Sequence, residues 1–198
     1  GGHYSPRNAR YDWLTINHFA DMSGGGVGVT LSNADAYYMQ LGNSTHTALD
    51  ATTPQLNILA GGQVDGPNLG IPNQGGDTKF LQRFALQTHG AFNQTSAMKF
   101  SLEHQNPLVT HQVTGTDPSY NEKNYSFLTI SDPDVLLWAL KPAEDGISQG
   151  VIARVWNQAN AARNYTLSLA PSIVSGKRTT HIETDIADAS IINGNLSA

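Results

Sequence analysis

The sequence contains no cysteine among its 198 residues. This absence excludes disulfide bonds, thiolate metal sites and cysteine nucleophiles. Charged residues are also scarce, at 14% of the chain, and only 11 residues are Lys or Arg. Because the net charge is −5 and the basic residues are dispersed, the composition argues against a nucleic-acid-binding protein. No apolar run approaches the roughly 20 residues of a membrane span, so we expect a soluble protein, cytoplasmic or secreted.

Turn-forming residues, by contrast, are abundant, with 19 Gly and nine Pro. Between the turns stand short stretches in which apolar and polar residues alternate, a pattern typical of antiparallel strands. The sequence therefore predicts an all-β fold with strands at residues 11–19, 27–31, 37–41, 55–59, 80–87, 135–140, 151–156, 165–169 and 177–183. In the second of these, Val27, Val29 and Leu31 are expected to face inward.

One helix is expected among the strands, at Thr95–Gln105, with Thr95 or Ser96 as its N-cap and Pro107 just beyond its end. The polar stretch at residues 116–125 predicts a linker between domains at 1–115 and 126–198. Asn193-Gly194 is a strong hairpin turn signal. Because it stands so close to the last residue, we expect its partner strand to be missing.

No catalytic or metal-binding motif emerges from the residues themselves. A glycosidase needs two carboxyl groups about 5 to 10 Å apart. The candidate pairs are Asp132 with Asp134, Glu144 with Asp145, and Asp65 with Asp77. All of them lie in loops beside Gly or Pro, where turn formation is the favoured interpretation. The seven His show no metal-ligand spacing. We therefore predict no catalytic residue and no metal ligand in this chain.

The Trp residues have two interpretations, since an exposed Trp can stack on a sugar ring and a Trp within a strand is more often part of the core. Trp138 stands in a run that is apolar on both sides, which favours the core. The same interpretation is preferred for Trp13 and Trp156.

Three stretches of the sequence nevertheless resemble one family. They are Asp12–Leu31, Phe80–Leu108 and Val135–Leu169, the last containing Ala-Leu-Lys-Pro-Ala-Glu-Asp-Gly at residues 139–146. With Thr184-Asp185 they resemble, in order and spacing, the C-terminal region of glycoside hydrolase family 38, the retaining α-mannosidases. The resemblance implies the end of a galactose-mutarotase-like β-supersandwich, followed by a small antiparallel β-sandwich whose last strand is absent.

In that family the nucleophilic Asp and the zinc ligands belong to an N-terminal α/β domain that has no counterpart here. The resemblance therefore implies a chain that is inactive alone, with zinc bound in the missing catalytic domain and no cofactor in this fragment. Its implied partners are that N-terminal catalytic domain and, through the full-length enzyme, an α-mannoside.

The Gly-rich stretch Gly61–Gly76 is the implied link to the active site, because in some family members such a loop reaches the sugar pocket. We predict Asp65, Asn68 and Asn73 as substrate-binding groups on it; the alternative is a loop without a role in binding. For the whole chain, the alternative to a mannosidase scaffold is a non-catalytic carbohydrate-binding or structural β-sandwich module.

Overall fold

The computed structural model of the chain describes residues 10–36, 38–59, 81–112, 125–170 and 172–198. These residues form antiparallel sheets and one α-helix, which confirms the all-β class. The chain divides into two compact units, residues 1–110 and 111–198. The predicted linker, except for Tyr125, lies outside the described residues. No described helix has the length and hydropathy that crossing a membrane would require.

The described part of the N-terminal unit contains two three-stranded sheets, ordered β1-β4-β5 and β2-β3-β6. Its elements are β1 (Leu14–Thr15), β2 (Phe19–Gly24), β3 (Val27–Asn33), β4 (Tyr38–Leu41), β5 (Leu56–Leu59), β6 (Phe84–His89) and the helix α1 (Gln94–Gln105).

The inward face predicted for β3 is wrong. Val27 is 68% exposed, whereas Thr30 and Ser32, on the opposite face, are buried. The physical reason is that α1 packs against β3 on the side of Ser32, and the Ser32 and Ser101 hydroxyl oxygens lie 3.0 Å apart. A polar strand face is buried here because the helix brings hydrogen-bonding partners to it.

The helix occupies almost the predicted residues, but its N-cap is Asn93 and not Thr95 or Ser96. The side-chain oxygen of Asn93 accepts a hydrogen bond from the backbone N–H of Ser96 at 2.8 Å. Thr95 is instead a buried residue of the helix in the N-terminal unit. At the other end the backbone N–H of Asn106 donates to the carbonyl of Leu102, and the helix stops before Pro107 as expected.

The described part of the C-terminal unit contains three antiparallel sheets, ordered β13-β14-β10-β7, β8-β9 and β11-β12. The strands are β7 (Leu128–Ile130), β8 (Val135–Pro142), β9 (Val151–Asn157), β10 (Thr166–Leu169), β11 (Lys177–Thr179), β12 (Asp185–Asp188), β13 (Ser190–Ile192) and β14 (Asn195–Ser197). The three strands predicted between residues 135 and 169 are therefore all present.

Two predictions for residues 177–198 are wrong. Asn193-Gly194 does turn between paired strands, because β13 precedes it and Ile192 pairs with Asn195. Both turn residues have positive φ, 52° and 77° respectively, as a tight hairpin of this kind needs. The strand predicted at 177–183 ends at Thr179, because the chain then reverses through Glu183 at a φ of 63°.

Candidate functional site

The substrate-binding residues predicted from sequence, Asp65, Asn68 and Asn73, lie outside the described residues, as does the whole of Gly61–Gly76. Their role remains a prediction. Of the paired acids that are described, Asp132 accepts a hydrogen bond from the backbone N–H of Asp134 at 2.8 Å. The Asp134 carboxylate pairs with Arg163 at 2.8 Å. The Asp132 carboxylate thus stabilises a turn, and the Asp134 carboxylate forms an ion pair.

The loop Lys-Pro-Ala-Glu-Asp-Gly binds a neighbouring hairpin through Glu183. The Glu183 carboxylate pairs with Lys141 and accepts a hydrogen bond from the backbone N–H of Glu144 at 2.9 Å. Arg154 lies 3.7 Å from the same carboxylate and donates to the carbonyl of His181 at 3.0 Å. Lys141 first, then the Glu144 amide, hold the pKa of Glu183 below its usual range despite partial desolvation.

This Glu183 cluster joins the β8–β9 hairpin to the β11–β12 hairpin. Glu183 has only 12% of its side chain exposed and adopts a left-handed backbone conformation that is uncommon for a non-glycine residue. The motif Lys-Pro-Ala-Glu-Asp-Gly therefore has a structural role. Lys141 contributes its charge to the contact with Glu183, and Glu144 contributes its backbone N–H.

A groove of about 940 Å³, which we call the C-terminal groove, opens beside β9 and β10. Its apolar walls include Trp138, Leu140, Trp156, Leu167, Leu169 and Leu196. Trp138 and Trp156 are 42% and 43% exposed, so the prediction that they are core residues is wrong. Their rings meet edge to face, with centroids 4.9 Å apart. Trp13 is half-buried, with its ring edge to face against Tyr38 at 5.6 Å.

The rim of the C-terminal groove is basic. Arg154, Lys177, Arg178 and His181 all line it, and no Asp or Glu side chain of the described residues does. Tyr165, also in the lining, has its pKa raised by burial, against an opposing effect of Arg178. Aromatic and cationic groups of this kind can bind an apolar or anionic group, but they do not form the acid–base pair that hydrolysis needs.

A second polar cluster, in the N-terminal unit, is built by the register of β2, β3 and β6. Ser23, Gly28 and His89 are aligned across the three strands. His89 reaches over Gly28, so that its Nε2 atom lies 2.7 Å from the Asp21 carboxylate, which also accepts hydrogen bonds from Ser23 and Thr30. Desolvation opposes ionisation of Asp21, but the three hydrogen bonds together lower its pKa. The Asp21 carboxylate in turn raises the pKa of His89.

Neither this cluster nor its neighbours have the geometry of a catalytic site. His89 uses its second ring nitrogen on the carbonyl of Gly90 at 3.0 Å, so neither ring nitrogen is left for a substrate. The pair formed by Ser32 and His104, 2.9 Å apart, includes a serine with no exposed surface. Among the described residues no group of three or more His, Asp or Glu could hold a metal ion.

The comparison with protein families decides the assignment of the C-terminal unit. Residues 134–197 match the model described as the glycosyl hydrolases family 38 C-terminal beta sandwich domain. This segment is similar to that family 38 domain. The match begins at the start of β8 and includes the Glu183 cluster and most residues of the C-terminal groove. No match was found among curated proteins.

The sequence pattern predicts neither cluster, because their members are distant in the chain. His89 and Asp21 are separated by 68 positions, and Glu183 and Glu144 by 39. One signal was available, because an isolated Gly within a strand pattern indicates a close approach of another group. Gly28 is such a glycine.

Proposed function

We propose that this chain is the C-terminal β portion of a retaining α-mannosidase, in which it serves as scaffold and as part of the rim of the substrate pocket. The observation that carries the proposal is the family 38 match over residues 134–197. The sequence resemblance of Asp12–Leu31 and Phe80–Leu108 extends it to the N-terminal unit. The full-length enzyme would hydrolyse terminal α-mannosides through a covalent glycosyl–enzyme intermediate.

Four of the described carboxyl groups already have hydrogen-bond or ion-pair partners, and this supports a non-catalytic role for this chain. Asp21, Asp35, Asp50 and Glu183 have lowered pKa values, because hydrogen bonds and ion pairs outweigh desolvation. A glycosidase requires one carboxyl group that remains protonated near neutral pH, which calls for a raised pKa. These four groups have the opposite property.

Zinc belongs, in this proposal, to the N-terminal catalytic domain that precedes the chain in the full-length enzyme. The described residues of the present chain provide no set of three or more donor side chains for it. When bound in that domain, zinc would hold the hydroxyl groups of the sugar. Asp65, Asn68 and Asn73 are proposed to contribute polar contacts to the same sugar from the Gly-rich loop.

The proposal is tested by assaying the purified chain and the full-length enzyme with an aryl α-D-mannoside, with and without added zinc. We expect turnover by the full-length enzyme and none by the chain alone. Turnover by the chain alone would show that it carries its own active site and would overturn the proposal. In the full-length enzyme, Asp65→Ala and Asn68→Ala should lower kcat/KM; unchanged values would remove these residues from the site.

The second candidate is a non-catalytic carbohydrate-binding module, favoured by one observation: Trp138 and Trp156 are more than one-third exposed in a groove. Against it, the edge-to-face contact between the two rings does not present them as one flat platform for a sugar. Calorimetric titration of the chain with mannose oligosaccharides separates the two functions. A scaffold gives no saturable heat, whereas a binding module does.

A further inference from the structure

A cleft of about 840 Å³, which we call the N-terminal cleft, lies within the N-terminal unit. The strands β2, β3 and β6 supply one wall of its described lining, and Leu41 with residues 51–56 supplies the other. Small-molecule sites are concave spaces of about 300 to 1,000 Å³ that combine apolar walls with a few polar groups. The size of this cleft is therefore that of a site for a small organic molecule. Its half-buried apolar residues are Met22, Val29, Leu41 and Leu56.

The polar groups on the first wall surround Asp21, whose side chain is 11% exposed. Oδ2 of Asp21 accepts a hydrogen bond from Thr30 and lies 2.7 Å from Nε2 of His89, whereas Oδ1 accepts from Ser23. Because a carboxylate has about four lone-pair sites, one site remains on Oδ1. Ser23 directs its hydroxyl proton to Asp21, so its oxygen atom is left as an acceptor. This wall therefore offers a ligand acceptors of hydrogen bonds.

The second wall repeats this arrangement around Asp50. The hydroxyl groups of Thr52 and Thr53, which line the cleft, donate to the Asp50 carboxylate at 2.9 Å and 2.5 Å. The Thr53 hydroxyl first, then the backbone N–H of Asn43, hold the pKa of Asp50 well below its usual range, so this carboxylate stays ionised. A hydroxyl group that donates to a carboxylate becomes a stronger acceptor, because linked hydrogen bonds polarise one another. Both walls thus present polarised hydroxyl oxygens.

Charge determines which donor the N-terminal cleft favours. Of the described residues that line it, none is Lys or Arg, and His89 is the one that can become cationic. The Asp21 carboxylate offsets the charge of His89, and the ionised Asp50 bonded to Thr52 and Thr53 leaves a net negative charge. An ammonium group has three donors and no acceptor, and hydrogen bonds from an ionised donor are about twice as strong as neutral ones. A protonated amine therefore complements these walls better than a neutral alcohol or an anion.

We propose that the N-terminal cleft binds a small organic amine in its protonated form. The ammonium group donates hydrogen bonds to hydroxyl oxygens of the lining, those of Ser23, Thr52 and Thr53. The aliphatic part of the ligand packs against the apolar residues of the same cleft, including Met22 and Leu56. This proposal does not depend on the proposed function, because every group that carries it belongs to the described residues of this chain.

Titration of the purified chain with n-butylammonium chloride at neutral pH, followed by two-dimensional proton–nitrogen NMR, tests the proposal. We expect saturable shift changes confined to the amides around the cleft, such as those of Ser23, Thr52, Thr53 and Thr88, with a dissociation constant of about 1 mM for so small a ligand. Sodium butyrate and n-butanol have the same carbon chain length with an anionic and a neutral head group, and they should bind more weakly. Equal affinity for either of them, or shift changes dispersed over the whole chain, would overturn the proposal.

Substitutions on the two walls locate the binding. Ser23→Ala removes an acceptor from the first wall, and Thr52→Val removes one from the second at almost the same side-chain volume. Each should weaken n-butylammonium binding about tenfold, because a hydrogen bond from a charged donor is lost. Ser126→Ala, which removes an exposed hydroxyl group from the C-terminal unit, is the matched control and should bind as the wild type does. Unchanged binding in both cleft variants would contradict the proposal; if a variant fails to fold, the comparison of the three titrants on the wild-type chain still decides it.

Discussion

The Nε2 atom of His89 lies 2.7 Å from the Oδ2 atom of Asp21, although β3 separates their strands. The contact exists because Gly28, which lies between them on β3, has no side chain. A Cβ atom at this position would lie 2.3 Å from Cε1 of His89 and 2.7 Å from Oγ of Ser23. One glycine thus allows a charged pair to join the two outer strands of the sheet.

The stability of the chain should depend on pH through this pair. The pKa of His89 is raised above its ordinary 6.5, so its stabilisation is complete below about pH 6.5 and is lost as the pH rises through the raised value. The pKa of Asp21 is lowered below 3.8, so its contribution is lost only as the pH falls through that lowered value. Melting temperatures should therefore fall above neutral pH, and His89→Gln should weaken this dependence. His46→Gln, at an exposed position, should leave it intact.

Gly28→Ala should destabilise the N-terminal unit at pH 5 to 6 more than at pH 9, because the added methyl group displaces His89 from Asp21. Gly24→Ala is the matched control, since its Cβ would meet no atom within 4 Å. Thermal unfolding of both variants checks this. In a double-mutant cycle with His89→Gln, the two losses should be less than additive. Full additivity would show that Gly28 acts independently of the pair.

Glu183→Gln should loosen the contact between the β8–β9 and β11–β12 hairpins, because it removes the charge that pairs with Lys141. Since the pKa of Glu183 is lowered, the wild-type contact is present above its ordinary pKa and is lost as the pH falls through the lowered value. Hydrogen exchange of β11 and β12 at neutral pH should be faster in the variant. Glu144→Gln is the matched control, because Glu144 contributes its backbone N–H. Equal effects of both substitutions would contradict this account of the loop.

Asn93→Ala should lower the free energy of unfolding by about 0.5 to 2 kcal/mol, because it leaves the N–H of Ser96 without its cap. Asn93→Asp, which retains an oxygen acceptor, should retain most of the stability. Urea unfolding measures both. A wild-type value for Asn93→Ala would show that the cap contributes nothing.

The sequence predicts the elements well where local signals are sufficient. Alternation between Gly and Pro turns locates β8 and β9 to within two residues, and Pro107 correctly ends α1. Both depend on propensities that neighbouring residues determine. The sequence does not predict the N-cap correctly, because Thr95, whose hydroxyl group could cap a helix, lies instead on the buried face of α1.

The faces and the contacts are less predictable, because they depend on distant partners. Ser32 is buried where Ser101, 69 positions away, and His104 bring hydrogen-bonding groups to it. Trp138 and Trp156 stand in apolar runs but line an open groove, since the described residues leave a space between the sheets. The residues next to Glu183 in the sequence do not indicate that its carboxylate pairs with Lys141. Alternation identifies two faces of a strand, and the packing element decides which one is buried.

We propose that this chain is the C-terminal portion of a retaining α-mannosidase. The most direct measurement is the anomeric configuration of the mannose first released by the full-length enzyme from an aryl α-D-mannoside, followed by proton NMR. We expect hydrolysis with α-mannose as the first product. Release of β-mannose first, or no hydrolysis of α-mannosides by the full-length enzyme, would contradict it.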